Sequence, residues 1–596
     1  MSYRAPVRDQ MFVLREVLKL DNYANLPGFA DASTDTVEQI LTEAARFCEE
    51  VLAPLNKVGD VEGCRWSPDN TVTTPQGFKE AYAAMVEQGW PSLASEAEYG
   101  GQDLPHVVSL AFSEMSSAAN MAFSMYAGLT HGAYSAIRAG GTDEQKTTYL
   151  PKLASGQWGG TMNLTEPQCG TDLGLLRTKA VPQADGSYRI SGQKIWISSG
   201  EHDLTENIIH LVLARIEGAP AGVRGISLFI TPKFFPTADG GVGARNEGVK
   251  CAGLEEKMGI HGSATCVMSY EDAQGWLIGE ENAGLRLMFV MMNEERLGVG
   301  VQGLAQGDAA YQAARDFAHE RLQGRALSGP KNPDGPADPI IVHPDVRRLL
   351  MDSRAVLEGG RAFLLWVGLH GDLEHESPDP AVREKAADYM ALMTPVAKAF
   401  MTDRGFRACS DAMQVHGGSG FTEHFPASQY LRDCRISMIY EGANGIQALD
   451  LVGRKLAANG GRGVMGFFAE IDAYVGERDG QAKLKPFIDG LADAKAKLQE
   501  ATFWLMQNGV QNPEEAGAAS TDYLNLFGLA ALAYMWALMA EAAQAKIDAG
   551  DADPFYADKL LTGRYFLDRL LPDAVAHLTK IKAGAASMMS LRAEAF

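Results

Sequence analysis

The sequence predicts an α+β multidomain chain: an N-terminal helical domain (1–160), a middle antiparallel β domain (161–284), a four-helix bundle (285–456) and an additional C-terminal helical domain (457–596). Three observations lead there. Apolar residues recur with a helical period in the first quarter, with a period of two between about 160 and 272, and with a helical period again afterwards. A length of 596 residues suits about four units of ordinary domain size. A composition of 46% hydrophobic and 21% charged residues is that of a folded globular chain and excludes disordered, collagen-like and mucin-like classes.

Taken in order, Leu41, Ala44, Ala45, Cys48, Val51, Leu52 and Leu55 mark one face of a first helix over about 36–55, and further helical patterns run over 75–88 and 107–139. In the middle region SYRISGQKIWIS alternates about an expected turn at Ser191-Gly192. IIHLVLARI, GISLFITP and ATCVMSYED follow, separated by Gly, Pro and Asp clusters. Long helical patterns then occupy 285–322, 345–373 and 381–413, with the loop SGPKNPDGPADP between the first two. AANGGRG at 457–463 reads as a flexible joint. Gly461 to Gly466 spells G-x-G-x-x-G, but a helix rather than a strand precedes it, so a dinucleotide fingerprint is not expected. Tyr523 to Ala540 reaches the length of a membrane span, yet it is rich in Ala and Gly and lacks a flanking basic cluster, which favours a buried helix.

The net charge of −22 disfavours nucleic acid or an anionic membrane as the main partner. Seven cysteines without any C-x-x-C suggest neither a disulfide framework nor a metal site, and the N-terminal residues lack the pattern of a secretory signal, so a cytoplasmic protein is expected.

Two local signatures make the sequence recognisable. Asn163-Leu-Thr-Glu-Pro-Gln-Cys-Gly-Thr-Asp172 is followed about thirty residues later by Gly192-Gln-Lys-Ile-Trp-Ile-Ser198. Gln414-Val-His-Gly-Gly-Ser-Gly420 is followed by Arg432-Asp433 and Ile439-Tyr-Glu-Gly-Ala-Asn-Gly-Ile-Gln447. Together, in this order and at these separations over about 90–455, they resemble the acyl-CoA dehydrogenase family.

The resemblance implies FAD as cofactor and an acyl-CoA as substrate. It implies that Leu164, Thr165, Trp196 and Ser198 meet the flavin, that Gln414, Gly417, Gly418 and Gly420 approach a pyrophosphate, and that Gln447 is retained as a flavin contact. Arg321 corresponds to the family arginine that reaches the FAD of a neighbouring subunit; the R-L-Q-G here is shorter than the family's R-x-x-F-G. Ala443 replaces the usual threonine after Glu-Gly. Gly170, Thr171, Arg296, Tyr440 and Gly442 fall at substrate-facing positions, and His261, where relatives have arginine, reads as structural. Glu441 is the implied base. Oxidation of a thioester at Cα–Cβ requires a carboxylate to take the α proton on one face while a hydride leaves on the other. Without the motif, a Glu beside a Gly at a helix end reads as a solvated terminus, and a Thr or Trp in a strand as a packing residue.

The opening Tyr3-Arg-Ala-Pro-Val-Arg-Asp-Gln-Met-Phe12 and the extra C-terminal helices are similar to a bacterial subgroup. It includes 3-methylmercaptopropionyl-CoA dehydrogenases of dimethylsulfoniopropionate breakdown and fatty-acyl-CoA dehydrogenases. The former is the expected activity, with methylthioacryloyl-CoA as product, electron-transferring flavoprotein as acceptor and a homodimer as assembly. A fatty-acyl-CoA dehydrogenase is the alternative, followed by an acyl-CoA oxidase and a DNA-binding flavoprotein. The interleaving of Lys483, Lys485, Lys495 and Lys497 with Asp489 and Asp493 argues against the last of these. Met121 and Met125, at helical spacing, read mainly as core filling, with a thioether pocket as the lesser alternative.

Overall fold

The computed structural model describes residues 3–596. The chain packs as two compact units. One comprises Arg46–Leu104 and Ala119–Gly298; the other comprises the chain up to Ala45, Pro105–Ala118 and Val299–Phe596.

The first unit is built on a seven-stranded sheet: β1 Trp158–Asn163, β2 Lys179–Pro182, β3 Tyr188–Ser198, β4 Asn207–Ile216, β5 Ser227–Pro232, β6 Val249–Leu254 and β7 Thr265–Ile278. The expectation of an antiparallel domain needs correcting, because β1 and β2 both run parallel to β4. Alternation of apolar residues reports which face is buried and carries no information on strand direction. The pairings close a ring, β3–β2–β4–β5–β7–β3, in which the long β7 pairs first with β3 and then with β5. The expected turn at Ser191-Gly192 is also absent: β3 runs straight through it. Gly192 is small there because a Cβ would lie 2.4 Å from the Thr178 hydroxyl.

Helix Met121–Gly140 lies on β1, and Gly160 allows the approach, since a Cβ there would fall 2.5 Å from that of Ala133. Asn120 starts this helix by accepting the Phe123 amide at 3.1 Å, so the single helical pattern at 107–139 is two helices, His106–Ala119 and Met121–Gly140. Trp158, Ile209, Leu228, Ile278 and Met288 belong to the core beneath. Each large apolar side chain so buried contributes about 1.5–3 kcal/mol, which makes β1 a firm base for the loop that leaves it at Leu164. Met121 and Met125 are buried.

In the second unit, helices Pro344–Glu376 and Pro380–His416 pack lengthwise. Gly405 lets the latter meet Gly303 of helix Gly284–Glu320 backbone to backbone. The membrane-length segment lies in helix Pro513–Asp548, and 83% of its most apolar window is buried. It rests on the bundle through Gly528 against Phe400 and through the Trp536 indole, which donates to the Ala355 carbonyl at 3.1 Å. The segment 457–463 is a tied turn rather than a loose joint: Asn459 and Arg462 both bond the Asp388 carboxylate. At the N-terminal end Asp9 meets the buried Arg361 and Lys559, while Arg361 also pairs with Glu114 at 2.7 Å.

Candidate active site

In the first unit the loop 164–172 leaves β1 and folds back through a tight turn closed by paired Glu166 and Cys169 backbone bonds of 2.9 and 3.0 Å. Its anchor is Glu166. The buried carboxylate accepts from the Arg177 amide (2.8 Å), the Thr178 amide (3.0 Å) and hydroxyl (2.6 Å), and the Lys194 ammonium (2.9 Å). Burial alone raises its pKa; the nearby ammonium and these donors outweigh that and bring it to about 2. Lys194, fully buried, is drawn down to about 8 by desolvation despite its partner, and it also donates to the Leu164 carbonyl at 3.0 Å.

The strand that faces this loop carries a β-bulge. Cys266 pairs with Ile197 and Met268 with Lys194, so Ile195 and Trp196 together oppose the single Val267. The bulge has two effects. It turns the Ile195 amide to the Thr165 carbonyl at 2.9 Å, and it places Trp196 in the left-handed region (φ 60°) with 61% of its surface exposed. The loop at Leu164-Thr165 is thus tied to the strand end that carries Trp196, with an indole face left open. Gly170 and Thr171 are exposed beyond the turn. Arg296 is 6% exposed, with its guanidinium 5.9 Å from the Phe289 ring. His261 is structural, bonded to the Asp60 and Lys257 carbonyls.

In the second unit the helix ends carrying Arg321 and Gln414–Gly418 are neighbours, for Phe317 stacks on His416 at 4.5 Å. Arg321 and Gln414 are exposed. The segment after Arg321 is fixed by Asp338, whose buried carboxylate accepts the Ala326, Lys331 and Asn332 amides and is thereby held at about 2. Gly417 ends its helix at φ 60°, and at both Gly417 and Gly418 the space a Cβ would enter is open. Gly420 differs: a Cβ there would meet the Met413 carbonyl at 2.6 Å, so it serves packing.

Beyond them, Tyr440 donates its hydroxyl to Gln302, and Glu441 and Gly442 both take positive φ, 53° and 83°. The half-buried Glu441 therefore sits in a conformation that costs a non-glycine residue of order 1 kcal/mol. Gln447, fully buried, donates to the carbonyls of Glu441 (3.2 Å) and Gly442 (3.1 Å), while its own amide oxygen has no partner among the described residues. Within the second unit that orphaned acceptor and the open backbone at Gly417-Gly418 suit the polar part of a flavin dinucleotide; within the first, the uncovered Trp196 indole suits a flat ring.

Models of the acyl-CoA dehydrogenase N-terminal, middle and C-terminal domains match residues 34–157, 161–273 and 282–456, and an acetyl-CoA dehydrogenase C-terminal-like model matches 467–592. The chain belongs to the acyl-CoA dehydrogenase family. It is an FAD-dependent oxidoreductase acting on an acyl-CoA. This dehydrogenase is 43% identical to 3-methylmercaptopropionyl-CoA dehydrogenase of Ruegeria pomeroyi over 98% of each chain. It is 35% identical to a butyryl-CoA dehydrogenase of Syntrophomonas wolfei over 100% of this chain and 99% of that one. In fold it resembles a Bacillus anthracis acyl-CoA dehydrogenase complexed with FAD, with a TM-score of 0.75 at 22% identity, over 93% of this chain and 88% of that one.

The anchors of this dehydrogenase's two loops escape a reading of motifs for cofactor contacts. Glu166 and Lys194 stand inside the quoted signatures without an assigned role. Lys398 and Asn444, described below, carry one available signal: Lys398 is the lone charge in an otherwise buried helical stretch, Val396 to Phe400.

Proposed function

We propose that the protein converts 3-methylmercaptopropionyl-CoA to methylthioacryloyl-CoA, with Glu441 as the base that removes the α proton. The observation that carries the base assignment is the backbone at Glu441-Gly442: two consecutive left-handed residues gripped by Gln447, a costly arrangement for a merely solvated helix terminus. FAD supplies the hydride acceptor when bound. The chain's own part is to hold the thioester so that one carboxylate oxygen of Glu441 meets the α C–H, and to keep that carboxylate ionised until the proton arrives. Leu164, Thr165, Trp196, Ser198, Gln414, Gly417, Gly418 and Gln447, with Arg321 reaching a neighbouring subunit's cofactor, hold the flavin; Gly170, Thr171, Arg296, Tyr440 and Gly442 line the substrate.

The sulfur substrate is supported by the greater identity to the Ruegeria enzyme than to the butyryl-CoA enzyme, at full coverage of both. Electrons pass to electron-transferring flavoprotein from a cytoplasmic homodimer. The lysines that a DNA-binding reading needs are neutralised: Lys483, Lys485, Lys495 and Lys497 pair with Asp548, Asp489, Asp472 and Asp493.

The deciding experiment is anaerobic bleaching and dye-linked turnover with the sulfur substrate against butyryl-, octanoyl- and palmitoyl-CoA. The highest kcat/KM is expected for the sulfur substrate. A straight-chain thioester ahead by tenfold, about 1.4 kcal/mol of discrimination, would place the enzyme in fatty-acid oxidation. Light scattering tests the dimer, and peroxide release in air would indicate an oxidase.

A further inference from the structure

We propose that Lys398 is the positioning residue for the base: its buried ammonium locks the backbone of the Glu441-Gly442 turn and so aims the Glu441 carboxylate. Lys398 lies in the middle of helix Pro380–His416, completely buried, in a stretch of the helix where Val396, Ala397, Ala399 and Phe400 are buried too. Removing an ammonium from water costs several kcal/mol unless it is well bonded, so its partners show what that cost secures. They include the Gly442 carbonyl at 3.0 Å and the Asn444 side-chain oxygen at 2.9 Å. Asn444 is itself fixed, donating to the Asp403 carboxylate at 2.7 Å and to the Thr402 hydroxyl at 3.0 Å.

The Gly442 carbonyl therefore receives two buried donors, Lys398 and Gln447, and the Glu441 carbonyl receives Gln447 as well. Each grips a peptide group bordering a residue at positive φ. With these carbonyls released, Glu441 relaxes toward the ordinary negative-φ region, and its Cα–Cβ bond swings away from the direction the turn imposes. A charge-assisted bond from the helix interior is a firmer clamp than a bond from the loop itself, because the donor moves only with the helix. A misplacement of about 1 Å in a base costs on the order of a hundredfold in rate, so the clamp bears on kcat rather than on binding.

The inference rests on Glu441 being the base, and the test keeps the two apart. Full-length FAD holoenzyme is prepared as wild type, Lys398→Met, Asn444→Ala and Glu441→Gln. Flavin content, affinity for the enoyl-CoA product, and the anaerobic bleaching rate with ordinary and α-deuterated acyl-CoA are measured. Lys398→Met is expected to keep flavin content and product affinity within about threefold while bleaching about a hundredfold more slowly, with a larger α-deuterium isotope effect and an unchanged KM. Asn444→Ala is expected to follow in the same sense by about tenfold, and it serves alone if Lys398→Met does not fold. The proposal is overturned if the folded variants bleach within threefold of wild type while Glu441→Gln is inert, or if rate, flavin and product affinity are lost together. Near-wild-type bleaching by Glu441→Gln would instead remove the base assignment, and the inference with it.

Discussion

The loops around Glu166 and Glu441 both stand beside a fully buried lysine, yet the two ammonium groups hold different partners. At Glu166 the lysine binds the carboxylate itself, which also accepts from the Gln168 side chain, the Arg177 amide and Thr178. That group is committed to structure, and a pKa near 2 keeps it from exchanging protons near neutrality. Beside Glu441 the lysine donates to the neighbouring Gly442 carbonyl. One buried ammonium thus holds a carboxylate, the other a peptide group.

The largest expected difference between the two sites is in chemistry. Glu441→Gln should keep the bound flavin and lose about a thousandfold in turnover, whereas Glu166→Gln should leave the proton-transfer step intact wherever the protein stays folded. Comparable losses of turnover at unchanged melting temperature would erase the distinction. Stability comes next. Lys194→Met leaves a buried carboxylate uncompensated and should cost about 3–5 kcal/mol in urea denaturation, part of it recovered by adding Glu166→Leu.

The pH dependence sharpens the contrast. Because the folded pKa of Glu166 is depressed, its stabilisation is present above the unfolded value near 4.5 and is lost as pH falls toward 2; the stability gap between wild type and Glu166→Gln should close over that window. Asp372 is the opposite case. Buried, and accepting the His106 and Val107 amides at 2.6 and 3.0 Å, it is raised to about 7, chiefly by desolvation. Its contribution is fullest below the unfolded value near 3.8 and is gone once pH has risen through 7, so wild type should lose stability relative to Asp372→Asn between about pH 4 and 7. A melting series across pH checks both signs. The smallest effect is expected at Trp196, where an exposed indole can be cut to Ala with a change in stability within about 0.5 kcal/mol; a loss confined to flavin affinity, read by fluorescence titration, is the predicted result.

The long helices were legible in the sequence because burial on one helical face leaves a 3.6-residue pattern that survives any packing detail. The break at Asn120 was not, since a capping residue can sit in a continuous apolar stripe. The parallel strands and the straight course through Gly192 escaped for a related reason: alternation and a glycine are local, while strand direction and the approach of Thr178 depend on distant chain. The candidate site divides in the same way. Motif spacing points to Glu441, Gln447 and Trp196. The bulge that exposes Trp196 is set by a partner strand some seventy residues later, as ~70 follows from the pairing of Ile197 with Cys266. Lys398 reaches a carbonyl 44 positions away, which no local pattern encodes.

The contacts of the N-terminal segment carry a consequence for biosynthesis. Phe12 packs edge-on against Phe555 at 5.4 Å, and Arg8 pairs with Asp553, 545 positions along the chain. At ~5–20 residues per second, a ribosome takes roughly half a minute to two minutes to cover that interval. Throughout it Met11, Phe12, Val13 and Leu14, all buried in the finished protein, lack part of their cover. This segment, made long before its partners, is therefore seated late, and its exposure during synthesis gives a holding chaperone a window in which to bind.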